Sequence, residues 1–408
     1  MTSSSMPQVA PLTTLRALAA LLVFVHHYFP FPYPDGLANS IAREGYFGVG
    51  MFFTLSGFLI AWRYYPRFPT LQQTMSNLRS FYWRRVARVY PLYLVIFFVA
   101  LFFGARAVNW TTGFLQVTLL HGYFQGMASV VPPSWSLTVE MAFYLMAPWL
   151  LWLCAMAAGR FRQAWLRVGA QAVALGVVTV ILLAIGLVMR ALSMRYLEPT
   201  AAGYQFVPTA SYMLFGTVNG FFGMFAAGIL LALLLHETDW LERIYTRRTL
   251  SLVVCVVALV TMVGLLHLSR VGEYRQTEVA LYLTYLGFGL CTCALIVGLM
   301  NPAHMLSRLF SLPLLVYLGH ISYAFYLIQM NAWFNGLAWR PSITLFPERE
   351  PLWLYMLVLY VLANLVSAAL YEFVEKPLHR LMTGRPAQWT QALQPLLRTK
   401  TVQQPQNQ

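Results

Sequence analysis

Apolar residues run along this chain in long stretches separated by short polar loops. A stretch near the ~20 residues that cross a hydrocarbon core reads as a membrane helix. About ten are expected, at roughly 12–29, 46–62, 89–104, 136–158, 168–189, 213–235, 250–268, 278–299, 313–333 and 351–371. A shorter stretch near 113–121 predicts a partial or surface helix. The pattern therefore predicts an all-α fold, a polytopic transmembrane helix bundle. One membrane domain is expected over 1–385, followed by a polar tail over 386–408 that reads as disordered.

Composition agrees. Of 408 residues 59% are hydrophobic and 10% charged, and mean hydropathy is +0.62. A soluble domain carries about 25% charged residues, so that class is excluded. An even number of spans puts both termini on one face. Most of the 27 Lys and Arg then fall in loops on that face, which predicts that it is cytoplasmic. The net charge of +14 is accordingly a topology signal for anionic lipid, not a nucleic-acid footprint. Only the polar stretch Met1 to Pro11 precedes the first span, with no convincing cleavage site, so a removable signal is not expected. Cys154, Cys255, Cys291 and Cys293 all lie in apolar spans, and no disulfide or metal site is expected.

A few ionisable residues inside the spans ask for a reason, because each costs of order 2.5–3.5 kcal/mol at the bilayer centre. Arg16 and His27 lie in the first span. Their eleven-residue spacing leaves them about 20° apart on one helix face and ~16 Å apart along it. The second span, GVGMFFTLSGFLI, has small residues that let another helix approach closely. In FYWRRVARVYPLYL, Arg84, Arg85 and Arg88 share one side of a helix entering the membrane. Guanidinium forks match phosphate oxygens, while a positive-inside flank reaching to lipid headgroups is the plainer reading. PPSWSLTVEMAFYL places Glu140 about two turns into its span, as a functional acid or as a hydrogen-bond partner of a neighbouring helix. Tyr323, Tyr326 and Gln329 fall together in the ninth span as cavity-lining candidates. Glu375-Lys376-Pro377 reads as a helix stop with an ion pair, and His121, His236 and His304 as interfacial residues near span ends.

The Arg16 to His27 spacing, GVGMFFTLSGFLI, RRVARVYP and SWSLTVEMAFYL, in that order, resemble the acyltransferase-3 family of integral-membrane O-acyltransferases. GHISYAFYLIQ and YEFVEKPLHR resemble its last two helices, so the likeness runs from about Leu12 to Arg380. The resemblance implies a bacterial plasma (inner) membrane enzyme. It implies an acyl-CoA donor, usually acetyl-CoA, and no metal. The implied acceptor is a hydroxyl of a cell-envelope or exported polysaccharide, such as lipopolysaccharide, an exopolysaccharide or a lipid-linked glycan, with polysaccharide biosynthesis proteins as partners. The family's Arg-x10-His pair falls on Arg16 and His27, its Arg-x-x-Arg on Arg85 and Arg88, and its acid on Glu140. One departure is visible: the family segment that often ends in histidine ends here in Gln329, which hydrogen-bonds but does not shuttle protons at neutral pH.

These residues compose into a mechanism. Arg85 and Arg88, helped by Arg84 and Arg16, hold the CoA phosphates at the inner face. His27 in the outer half acts as general base, with Glu140 orienting or charge-stabilising its ring. Tyr323, Tyr326 and Gln329 line the substrate cavity. Acceptor choice is expected in the outer loops Phe31–Tyr46, Phe103–Trp135, Arg190–Tyr212 and Asn335–Pro351, whose aromatics suit sugar rings. A rival class is a transporter that moves an acyl group or small anion along the same Arg and His line.

Overall fold

The computed structural model describes residues 9–29, 37–103, 108–123, 129–196, 217–269, 278–335 and 352–384. The expected tail over 386–408 lies outside the described residues, as do most of the loops Arg190–Tyr212 and Asn335–Pro351. Ten helices frame the bundle: α1 Val9–Tyr28, α2 Gly48–Tyr64, α3 Leu71–Phe102, α4 Trp135–Ala158, α5 Ala164–Tyr196, α6 Val218–Glu237, α7 Arg248–Leu268, α8 Glu278–Leu299, α9 Pro313–Ile328 and α10 Leu352–Leu370. Among the described residues nine helices are long and apolar enough to cross a membrane, and Pro313–Ile328 is a shorter apolar one. No strand occurs among the described residues. The chain is an all-α polytopic bundle.

Small residues set the closest crossings. A Cβ on Gly57 would strike the Phe225 carbonyl, and one on Gly228 would strike the Thr54 carbonyl. The α2–α6 pair thus packs backbone against backbone, as the small residues of the second span predict. Gly319 does the same where α9 crosses α1, against the Thr13 carbonyl. α1 packs against both α2 and α9, and α3 and α4 close the group. α5 is the most apolar span and the least buried, which suits a helix facing lipid.

Two expected boundaries change. The stretch between the expected spans 46–62 and 89–104 is mostly helix, because α3 begins at Leu71. Its start is fixed by Thr70, whose hydroxyl accepts the Gln73 N–H at 3.3 Å. The expected helix stop at Glu375-Lys376-Pro377 is not a stop either. The chain continues through a π-helical turn, Tyr371–Glu375, into a further helix, Lys376–Thr383, with Pro377 in its first turn. Pro377 has no N–H to give to the preceding turn, and the π-helical turn just before it is where the regular hydrogen-bond ladder is interrupted. The partial helix expected near 113–121 is Trp110–Val117, capped by Asn109, which accepts the Thr112 N–H at 2.8 Å.

Candidate active site on α1

Three polar places, two of them on α1, hold the residues singled out from the sequence. The first is a cavity among α1, α2, α3, α4 and α9, lined by Arg16, Ser56, Arg88, Glu140, Tyr323 and Tyr326 among others. Its volume is about 50 Å³, and it is open at its mouth. The Glu140 carboxylate accepts from the Ser56 hydroxyl at 2.9 Å and from the hydroxyl of Tyr144, one turn on along α4. Arg16 lies with its guanidinium 5.9 Å from the Phe52 ring centroid, and its Nε is buried without a hydrogen-bond partner among the described residues. The charged groups that act on Arg16 are Arg88, Glu140 and Glu375. Two cations and two carboxylates therefore share this part of the bundle interior, the arrangement that makes charge tolerable in an apolar medium.

Tyr323 and Tyr326 form the α9 wall. The Tyr323 hydroxyl donates to the Val89 carbonyl on α3 at 2.8 Å. The Tyr326 hydroxyl lies 2.8 Å from Ser136 Oγ and 3.2 Å from the Pro133 carbonyl. Both rings border the cavity while their hydroxyls tie α9 to its neighbours.

The second place is a box of aromatics around Arg85. Its guanidinium sits 5.5 Å from the Tyr64 ring, 5.4 Å from Phe81 and 5.4 Å from Tyr144, and it reaches the Tyr64 hydroxyl at 3.4 Å. Arg63 and Arg67 lie over the same Tyr64 ring, at 5.8 and 5.2 Å. Cation–π attraction offsets part of the cost of burying Arg85, yet three guanidiniums on one ring repel each other and favour an anion beside them. Arg84 stands apart. It turns back onto its own helix, with Nε 3.1 Å from the Ser80 carbonyl and Nη2 on the Ser80 hydroxyl. The four arginines expected to act as one clamp are thus divided: Arg16 and Arg88 in the cavity, Arg85 in the box, Arg84 outside both.

The third place is His27. Its Nδ1 lies 2.9 Å from Gln329 Oε1. With the amide oxygen facing the ring, Nδ1 is the donor of this contact, which in the neutral imidazole leaves the lone pair on Nε2. The neighbouring His26 is held likewise, Nδ1 to the Arg43 carbonyl at 2.7 Å, with the two imidazole centroids 5.3 Å apart. Glu140, expected to orient the His27 ring, is instead joined to Ser56 and Tyr144. The two hydroxyls that donate to Glu140 hold it in the cavity with Arg16 and Arg88. Gln329, expected with Tyr323 and Tyr326 in a substrate cavity, is the partner of His27 and does not line theirs.

One residue of the charged group escaped the sequence reading. Glu375 was expected to pair with Lys376, but Lys376 pairs with Glu372 at 2.8 Å. The π-helical turn rotates Glu375 toward Arg16 and Arg88, where its Oε2 has no hydrogen-bond partner among the described residues. Such turns often occur at functional places. The signal available in advance was the i, i+4 spacing of Glu372 and Lys376, which already satisfies the lysine. His121 and His304, expected at interfaces, are buried within hydrogen bonds. His121 Nε2 meets Ser134 Oγ at 2.8 Å, and His304 accepts the Ser307 N–H at 3.1 Å. His236 stacks on Trp62 with centroids 4.4 Å apart.

Residues 10–372 match the profile of a protein family described as an acyltransferase domain, which covers most of the chain. The chain belongs to the acyltransferase-3 family. Curated relatives include the acyltransferase MdmB of Streptomyces mycarofaciens, 31% identical over 170 residues, 38% of this chain and 41% of that protein. Another is the peptidoglycan O-acetyltransferase OatA of Listeria monocytogenes, 29% identical over 166 residues, 36% of this chain and 25% of that protein. The chain thus spans less than half the length of these acyltransferase-3 relatives. No solved structure matches.

Proposed function

We propose that this chain is a membrane O-acetyltransferase that moves an acetyl group from cytoplasmic acetyl-CoA to a hydroxyl of a cell-envelope or exported polysaccharide. The observation that carries the reading is on α1. One end presents His27 with a fixed Nδ1–H and an unprotonated Nε2, and the other presents Arg16 in a cavity beside the arginine box. The family supports acyl transfer, and the printed name of OatA supports a glycan acceptor.

CoA carries a diphosphate and a ribose phosphate, and Arg85 with Arg63 and Arg67 around the Tyr64 ring forms the cationic group that suits them. Arg16 and Arg88, balanced by Glu140 and Glu375, lie on the way from that group toward His27. The distribution of Lys and Arg supports placing the box and both termini on the cytoplasmic side. At the other side His27 Nε2 takes the proton of the acceptor hydroxyl as its oxygen attacks the thioester carbonyl. The carbon–sulfur bond breaks, and the leaving thiolate takes the proton from Nε2, giving an acetyl ester and free CoA. A positioned base contributes typically 10²–10⁴ in rate.

The test is glycan O-acetyl content, measured by NMR in cells that carry His27→Ala at equal protein level. Loss to the level of the gene deletion is expected, and full O-acetylation would overturn the assignment. The transporter reading separates by chemistry: purified chain that binds acetyl-CoA but releases no thiol in the presence of glycan favours transport.

A further inference from the structure

We propose that Gln329 is a positioning residue that fixes the proton of His27 on Nδ1, and so makes Nε2 the reacting nitrogen. The proposal rests on the reading of His27 as the base. Gln329 is fully buried at 0% exposure, and its Oε1 is 2.9 Å from His27 Nδ1. Its amide nitrogen has no hydrogen-bond partner among the described residues. Leaving half of a buried amide unsatisfied is unfavourable, and the fold tolerates it at the glutamine that touches the candidate base.

The backbone is bent to put it there. α9 ends at Ile328, Gln329 turns to ψ 140, and Met330 follows at φ 62. A methionine rarely adopts the left-handed region unless its surroundings impose it. Here the Met330 N–H donates to the Tyr28 hydroxyl at 3.1 Å, and that hydroxyl donates to Asn335 Oδ1 at 3.2 Å. Two consecutive residues of α1, His27 and Tyr28, therefore grip two consecutive residues at the end of α9, one by side chain and one by backbone. The turn aims the amide, and the amide aims the ring.

A glutamine suits this task in a way a histidine would not. An imidazole in its place presents either a donor or an acceptor and leaves the tautomer of His27 open. A carboxylate would fix the tautomer but add a buried charge. The amide oxygen accepts without ionising, so the Nδ1–H stays in place while Nε2 receives and returns the acceptor's proton. Gln329 thus supplies no proton chemistry of its own and is still required for it.

The experiment uses the full chain in nanodiscs with acetyl-CoA as donor and isolated cell-envelope glycan as acceptor, reading thiol release for turnover and acetyl-CoA affinity separately. Gln329→Met keeps length and volume but removes the acceptor, while Gln329→Glu keeps an acceptor at the same place. Losing a base's orientation forfeits part of its 10²–10⁴ contribution, so Gln329→Met is expected to lower kcat by about 10–100-fold with affinity unchanged. Gln329→Glu is expected to regain at least about tenfold over Gln329→Met at its own best pH. A merely structural role would move melting temperature and affinity together and would show no rescue. Wild-type turnover in Gln329→Met with an inactive His27→Ala would overturn this proposal alone, as would a folded Gln329→Glu no better than Gln329→Met. Wild-type turnover in His27→Ala would remove the base reading itself.

Discussion

Tyr144 serves two charges at once: its hydroxyl donates to the Glu140 carboxylate while its ring forms one wall of the box around Arg85. The arginine box and the α1 cavity are therefore coupled through one side chain on α4. Removing the hydroxyl alone separates the two roles. Tyr144→Phe should leave acetyl-CoA affinity within about twofold and lower turnover about tenfold, since a hydrogen bond to a charged group is worth roughly 1.5–3 kcal/mol. Kinetics on the purified chain check this, and equal loss in both quantities would count against a separate role for Glu140.

The division of the arginines predicts unequal effects along one short stretch. Arg85→Ala should weaken acetyl-CoA binding by about tenfold or more, because it empties the box. Arg84→Ala should change affinity by less than about twofold, since a half-exposed arginine bonded to its own helix contributes little. Titration calorimetry of the two variants in nanodiscs distinguishes a phosphate site from a uniform topology flank, which would give two equal and small changes.

The crossing of α2 and α6 predicts a purely structural defect. Gly228→Val drives a branched side chain into the Thr54 carbonyl and should destabilise the protein by about 1–3 kcal/mol. The readout is the melting temperature in detergent, with the turnover of the surviving folded fraction close to wild type.

Acid sensitivity should trace in part to His121. It lies outside the membrane-spanning segments, and burial pushes its imidazole from the usual 6.5 to about 4. The folded state thus binds this proton less readily than the unfolded chain. The stability it contributes is present above about pH 6.5 and is lost as pH falls toward 4, the range in which the unfolded state holds more protons. His121→Gln should flatten the melting-temperature profile between those two values relative to wild type. An unchanged slope would show that other groups govern it.

Much of this was legible from hydropathy alone. The spans are long apolar runs, and the arrival of Arg16, Glu140 and Arg88 in one cavity follows from how costly charge is elsewhere. What the sequence hid is rotational. Glu375 comes within the influence of Arg16 and Arg88 only because a π-helical turn precedes it, and no residue in YEFVE announces that extra residue per turn. Gln329 reached His27 only because α9 stops and Met330 takes a left-handed conformation, which methionine gives no reason to expect. Pattern reading assigned Gln329 to the face of Tyr323 and Tyr326 because it assumed an unbroken helix.

The early end of α9 bears on the bilayer itself. Its 16 residues rise only ~24 Å, against a hydrocarbon thickness near 30 Å. The shortfall lies at the Gln329 end, beside His27. The rest of that layer is crossed by Gln329 and Met330 in a turn and not by helix, so backbone freed from the helical ladder lies level with the imidazole of His27.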